Sequence, residues 1–295
     1  MTEATPGTRL RKPEWLRVRL GGGPRFRRIE GIVRGGALHT VCDEALCPNK
    51  GTCWEHGRAT LMILGDTCTR RCAFCNVKPG HPANADADEP RRVADAAGSM
   101  GLTDIVVTSV TRDDLPDGGA AVWAETIRRL KSAVPGIRVE VLVPDFGGSR
   151  EALEAVIRER PAVLGHNLEM APSLYPAIRP QADYARSLRV LTRARQDGLI
   201  VKTGIMVGLG ESDAEVTAVM ADARAAGVEI FFAGQYLQPT RRHWPVRRYV
   251  EPAAFESYRE RGLAMGFAVV VAAPLVRSSF HSDEQADYVA SRGFL

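Results

Sequence analysis

The chain lacks several things, and each absence excludes a class. Nowhere does it run to about 18 consecutive apolar residues, so no membrane-spanning helix is expected. It has no internal repeat and no low-complexity segment, which excludes solenoids and fibres. It has little excess charge. The net +4, carried mostly by arginine, does not by itself mark a nucleic-acid binder. Hydrophobic residues at 45% and charged residues at 25% are ordinary soluble-globular usage, which excludes a disordered chain. Beyond Cys75 it has no cysteine at all. A chain of 295 residues can bury roughly 75% of its unfolded surface and needs no disulfides. The first residues, Met1-Thr2-Glu3-Ala4, form no apolar signal core, so a cytoplasmic location is expected. Six thiols clustered between Cys42 and Cys75 in a reducing cytosol read as metal-binding or catalytic.

Residues 1–58 read as an irregular extension, with Gly21-Gly22-Gly23-Pro24 breaking any helix. From residue 59 to 250 short apolar runs alternate with amphipathic stretches. The runs are 60–64, 105–108, 139–143, 162–164, 200–207 and 230–233. Helical faces are formed by Val93, Ala96, Ala97 and Met100, by Trp123, Ile127 and Leu130, by Leu153, Val156 and Ile157, and by Val216, Val219, Met220 and Ala223. Ser212 or Asp213 is expected to cap the last of these helices, and Gly227 to stop it. Residues 251–295 add a helix, a strand over 268–272 and a polar tail. Apolar strands alternating with helices predict an α/β fold with a parallel sheet covered on both faces. A doubly wound sheet and a barrel both satisfy the pattern, and in either the chemistry sits beyond the carboxyl ends of the strands.

Cys68, Cys72 and Cys75 form C-x3-C-x2-C directly after the first strand. Three thiolates on one tight loop suit three corners of an iron–sulfur cubane with the fourth iron open. Zinc, which prefers paired C-x2-C units, and structural thiols are the alternatives. Phe74 shields such a cluster or simply packs. Cys42, Cys47 and Cys53 form a second triad, C-x4-C-x5-C. Two cubanes need eight ligand positions, and six cysteines leave two to other groups.

The first spacing resembles the radical S-adenosylmethionine superfamily, whose fold is a full or partial parallel barrel. The resemblance then sharpens. Val41 to Asn49, Met62 to Cys72, Asp88 to Arg92, Arg112 to Ala120, His166 to Glu169, Gly204 to Glu211, Gly234 to Pro239 and Arg277 to His281 resemble the lipoyl synthase family. It extends from about Lys12 to about Ser282. It implies a partial (β/α)6 barrel whose N- and C-terminal extensions carry the auxiliary cluster. The activity implied is insertion of two sulfur atoms at C6 and C8 of an octanoyl group amide-linked to a carrier lysine.

The cofactors implied are two 4Fe–4S clusters and S-adenosylmethionine. Cys68, Cys72 and Cys75 would hold the radical cluster, whose open iron S-adenosylmethionine occupies. Cys42, Cys47 and Cys53 would hold the sulfur donor, with Ser279 its remaining ligand and Ser278 less favoured. A hard alkoxide is a poor match for iron–sulfur chemistry and could leave easily. A turn or capping hydroxyl is the commoner job for such a pair. The same resemblance assigns Gly118, Gly119, Asn167, Glu169, Lys202, Met206 and Gln235 to the S-adenosylmethionine site. Gly118 and Gly119 could equally be an ordinary loop-to-helix start, and Lys202 a snorkelling rim residue. Gly208-Leu209-Gly210 is too short for a dinucleotide fingerprint and reads as a turn beside the adenine. His56, His81 and His243 have no metal-like spacing.

The implied partners are an octanoylated lipoyl carrier (a dehydrogenase E2 lipoyl domain or the glycine cleavage H protein), an electron donor such as ferredoxin or flavodoxin, and a carrier that rebuilds the spent cluster. Neither nucleic acid nor membrane is expected. Arg241, Arg242, Arg247 and Arg248 around Trp244 read as a solvated loop, a nucleic-acid surface or a docking patch for an acidic carrier. The chain departs from the family at Phe280, where tyrosine is usual, at Ser282, Gly165 and Lys50. Rival readings are another sulfur-inserting or peptide-modifying radical enzyme, and a two-cluster electron carrier of ferredoxin type.

Overall fold

The alternation of apolar runs and amphipathic helices becomes an α/β fold with mostly parallel strands. The computed structural model describes residues 10–18, 21–279 and 282–293. Residues 21–71 and 76–165 form one unit; 72–75 and the described residues from 166 to 292, with 10–17, form another.

The first unit opens on helix α1 (Pro24–Gly35). The irregular extension expected there is therefore incorrect. Pro24 stands at the first helical position, where its fixed φ starts a helix rather than breaking one. Ile29 and Val33, one turn apart, are buried. Strand β1 (His39–Thr40) and helices α2 (Val41–Glu44) and α3 (Lys50–Glu55) follow. Phe26 of α1 stacks on Trp54 of α3 with ring centroids 5.1 Å apart. Next come β2 (Thr60–Ile63), β3 (Thr67–Cys68), β4 (Lys78–Pro79), α4 (Glu89–Met100), β5 (Asp104–Ser109), α5 (Ala120–Ala133), β6 (Arg138–Leu142), α6 (Arg150–Arg158) and β7 (Val163–Gly165). β2, β5, β6 and β7 pair in parallel in that order, and β1 adds antiparallel to β2. All four residues of β2 are buried, as a strand covered on both faces requires. Trp123, Ile127 and Leu130, a single stripe of α5, are 0% exposed, each contributing roughly 1.5–3 kcal/mol through burial.

The second unit carries α7 (Tyr175–Ile178), α8 (Tyr184–Gln196), β8 (Ile200–Val207), α9 (Asp213–Ala225), β9 (Ile230–Gln235), α10 (Pro252–Ala264), β10 (Val269–Ala272) and α11 (Asp283–Ser291). β8, β9 and β10 are parallel neighbours, with Lys202 opposite Ile230 and Val270 opposite Phe231. Ser212 caps α9 through a reciprocal box with Glu215, satisfying two backbone donors. Ser282, one of the family departures, caps α11 by accepting from the Gln285 N–H at 3.2 Å. Phe280 and His281 lie outside the described residues.

Candidate active site

The second cysteine triad is built on short helices of the first unit. Thr40 caps α2 by accepting the Asp43 N–H. Cys42 is buried on that helix, and the Cys47 N–H returns to its carbonyl at 3.1 Å. Cys53 sits on α3, its N–H on the Asn49 carbonyl at 2.8 Å. Burial pushes the Cys42 thiol up, opposed by the Thr60 backbone, while neighbouring Cys47 pushes it further. The Cys53 thiol is pushed up to about 12 by burial and then by Cys42 and Cys47. The three thiols are near enough to repel one another's anions, a repulsion that bound iron would relieve by replacing their protons. The donor set thus fits a cluster. Lys50, the other departure in this loop, pairs with Asp43 and lies over the Trp54 ring at 4.2 Å. Asn76 donates to the Glu44 carbonyl at 2.7 Å, anchoring α2 to the chain just past Cys75.

Cys68 ends β3, and its sulfur accepts two backbone N–H groups, from Arg70 at 3.4 Å and Thr111 at 3.3 Å. Backbone donors on a sulfur are a common feature of iron–sulfur ligands and fit that role. The strand-to-loop turn before it is held by Glu89 of α4, whose buried carboxylate accepts the N–H groups of Leu64 and Gly65. Leu64 has φ +68, and this clamp holds it there. Arg70 forms bidentate pairs with Asp113 and Asp145. Among the described residues no three acidic, histidine or cysteine groups converge as ligands of a single ion. A cubane offers each thiolate a different iron, so its ligands stand further apart.

In the second unit Cys72 and Cys75 form a turn, Cys75 N–H on the Cys72 carbonyl at 3.1 Å. The turn is pinned from three sides. Ala73 donates to Ile178 and accepts from Trp244, and the His243 ring meets the Cys75 carbonyl at 3.0 Å. Phe74 packs on the apolar cluster of Met170, Tyr175, Ile178, Leu209 and Tyr236. His243 thus carries a positioning contact that its isolation in the sequence gave no hint of.

The residues assigned to S-adenosylmethionine differ in how far protein contacts already account for them. Gly118 and Gly119 have φ +61 and +86, and a Cβ on them would meet Phe146 at 3.2 Å and Leu64 at 2.5 Å. Protein packing and a left-handed backbone account for both glycines. Gln235 is fully buried and spent on backbone: it donates to Val207, Tyr236 and Arg248 and accepts from Val250. Lys202, 1% exposed, donates to Gln285 of α11 at 2.7 Å and lies over Phe232. It is no rim residue; it anchors the last helix. Met206 packs on the same apolar cluster as Phe74. The N–H groups of Gly208, Leu209 and Gly210 all point at Glu211, a closed turn that the sequence reading left without its carboxylate.

Asn167 and Glu169 fit a ligand better. Asn167 donates to the Ser278 hydroxyl at 2.8 Å, while its buried side-chain oxygen accepts from no donor among the described residues. An orphaned buried acceptor is costly unless something binds it. Glu169 holds φ +68, strained for a side-chain-bearing residue. Burial pushes its carboxyl up, opposed by Arg179 and Asn167.

The tail bearing Ser278 and Ser279 crosses β8 and β9 where they have no side chains. A Cβ on Gly234 would lie 2.0 Å from the Val276 carbonyl oxygen, and one on Gly204 would lie 3.1 Å from the Ser278 Cβ. The arginine run is dispersed. Arg248 pairs with Asp213 and Glu211, and Arg247 lies over the Trp244 ring at 5.3 Å. Arg241 and Arg242 stay exposed.

These features define a radical S-adenosylmethionine protein: the family model described as the radical SAM superfamily matches residues 62–223. Two solved structures show the same fold. Streptococcus suis SuiB bound to S-adenosylmethionine aligns with TM-score 0.57 at 10% identity, over 76% of this chain and 53% of its own. Methylornithine synthase aligns with TM-score 0.53 at 13% identity, over 90% of each chain. Among curated relatives, the lipoyl synthase of Rubrobacter xylanophilus is 52% identical over 286 residues, 96% of this chain and 89% of its own. That of Thiobacillus denitrificans is 50% identical over 289 residues, 97% of this chain and 93% of its own. The chain belongs to the lipoyl synthase family.

Proposed function

We propose that this protein inserts two sulfur atoms at C6 and C8 of an octanoyl group carried on a lysine of a lipoyl carrier protein. Two cysteine triads on separate elements of a chain of this family carry the reading. The cluster on Cys68, Cys72 and Cys75 would, when bound, supply the electron that cleaves S-adenosylmethionine to methionine and the radical that removes each hydrogen, and the cluster on Cys42, Cys47, Cys53 and Ser279 the sulfur. The chain's own residues supply placement. Backbone N–H groups steady Cys68, His243 and Trp244 steady the Cys72–Cys75 turn, and the open Asn167 oxygen receives a ligand donor. The Ser278 hydroxyl already accepts from Asn167, which favours Ser279 as the donor ligand. Residues 1–58 and 251–295 then serve as the extensions that hold the auxiliary cluster. Anaerobic turnover with an octanoylated carrier, read by mass spectrometry, should show two sulfurs gained, with two hydrogens lost once the dithiol is oxidised to the dithiolane. Cleavage of S-adenosylmethionine without that mass change would oppose the reading.

Gly234→Ala should lift the tail from β9. The expected destabilisation is about 1–3 kcal/mol, read by thermal denaturation, because neither strand nor tail backbone can yield cheaply. Sulfur insertion should fall further than cleavage of S-adenosylmethionine. A variant with unchanged melting and product would show that the crossing is not needed.

The carrier is a lipoyl domain or H protein, the electron donor a ferredoxin or flavodoxin, and a further carrier rebuilds the spent cluster. No nucleic acid and no membrane enter the scheme. Among the described residues no helix is long and apolar enough to cross a membrane. With Arg248 and Arg247 engaged, Arg241 and Arg242 are the pair that would meet an acidic carrier. Changing both to glutamate should lower kcat/KM for intact carrier about tenfold at low ionic strength, since opposed charge speeds encounter. A short octanoyl-lysine peptide should be used as before. Equal loss with carrier and peptide would assign the pair a structural role instead.

A further inference from the structure

We propose that Arg70 is a positioning residue for the radical cluster, acting through the backbone donors on Cys68. The inference rests on the reading that Cys68, Cys72 and Cys75 hold that cluster. Arg70 lies between the first two ligands, yet its side chain turns away from solvent, only 6% exposed. It meets Asp113 beyond β5 through Nε and Nη2, both at 2.8 Å. It meets Asp145 beyond β6 through Nη1 at 3.0 Å and Nη2 at 2.6 Å. Asp145 is itself fixed by accepting the Gly147 N–H at 3.1 Å. A planar guanidinium that fills both forks ties the cysteine loop to two strand ends, which the point charge of lysine cannot do.

Two more bonds complete the tie. The Thr69 hydroxyl donates to the Thr111 carbonyl at 2.9 Å, and the Asp113 N–H donates to that hydroxyl at 3.1 Å. The outcome is geometric: the N–H groups of Arg70 and Thr111, from two different loops, converge on one sulfur. Donors to a ligating sulfur favour the more negative, reduced cluster and so raise its potential. Outer partners that orient a metal ligand commonly affect a site by about 10–100-fold.

The test uses full-length, anaerobically reconstituted protein. The signal of the reduced radical cluster, distinguished by its response to S-adenosylmethionine, is followed by electron paramagnetic resonance during a redox titration. Arg70→Lys keeps the charge but cannot hold both carboxylates. Its midpoint should move to more negative potential, and cleavage of S-adenosylmethionine without substrate should fall about tenfold. An unchanged midpoint would overturn the proposal. If Arg70→Lys fails to take up iron, Asp113→Ala serves, because Asp113 is partly exposed and Asp145 still holds Arg70. Loss of a negative charge alone would move the midpoint up; loosened donors move it down. A downward shift supports positioning, and an upward or absent shift sinks it. None of these readouts depends on lipoyl product, so failure here is distinguishable from failure of the sulfur-insertion reading.

Discussion

Alanine at Cys68, Cys72 and Cys75 together should abolish cleavage of S-adenosylmethionine and remove about half of the roughly eight irons that two cubanes contain. The structure supports so clean a separation. All three cysteines are only partly buried, so their loss opens no large cavity. The contacts that shape the loop remain, since Arg70, Ala73, Phe74 and His243 hold it through other atoms. Circular dichroism should therefore be close to that of the parent, while iron analysis and chromatography of 5′-deoxyadenosine report the loss. Full iron with normal cleavage in the triple variant would place the radical cluster elsewhere. Zinc instead of iron in the parent protein, purified without oxygen, would overturn the scheme.

Removing Cys42, Cys47 and Cys53 should give the complementary result: cleavage continues and no carbon–sulfur bond forms. Stability should suffer more here, because Cys42 is buried and its loss leaves space, at a cost of about 1 kcal/mol. Ser279→Ala should behave like the triple variant, with the donor cluster perturbed and cleavage kept. Ser278→Ala is the control. It should cost one hydrogen bond to Asn167, about 1 kcal/mol of tail stability, and leave product formation near normal. Normal product from Ser279→Ala with none from Ser278→Ala would transfer the ligand role to Ser278.

Much of this was legible in the residues, for reasons that differ by region. β8 is read to its limits, Ile200 to Val207, because apolar, β-branched-rich ends flank only three other residues, Lys202, Thr203 and Gly204, between turns marked by Gly198 and Gly208. The helix face Trp123, Ile127 and Leu130 likewise is wholly buried. α1 was missed because three glycines before Pro24 mask a start signal that proline itself supplies. The cysteine triads were visible because spacing alone restricts what thiols can hold. The polar residues were harder. Gln235, Lys202 and Arg248 look like ligand or docking groups in one dimension, and only the fold shows them engaged by backbone, by Gln285 and by Asp213. Asn167 is read as a ligand group in one dimension too, but its bond to Ser278, far along the chain, is visible only in the fold. A buried polar side chain is assigned by its neighbours, and neighbours far along the chain leave no periodic trace.

The tail over Gly204 and Gly234 also imposes an order on biosynthesis. Its anchors reach far back: Ser278 to Asn167, Gln285 to Lys202, and Val276 onto Gly234. None can form until β8 and β9 exist, and each joins an earlier position to one made later. Ser278, and Ser279 beside it, are thus placed only after every cysteine has been synthesised. A nascent chain can therefore display all six thiols before the tail that carries Ser278 and Ser279 exists.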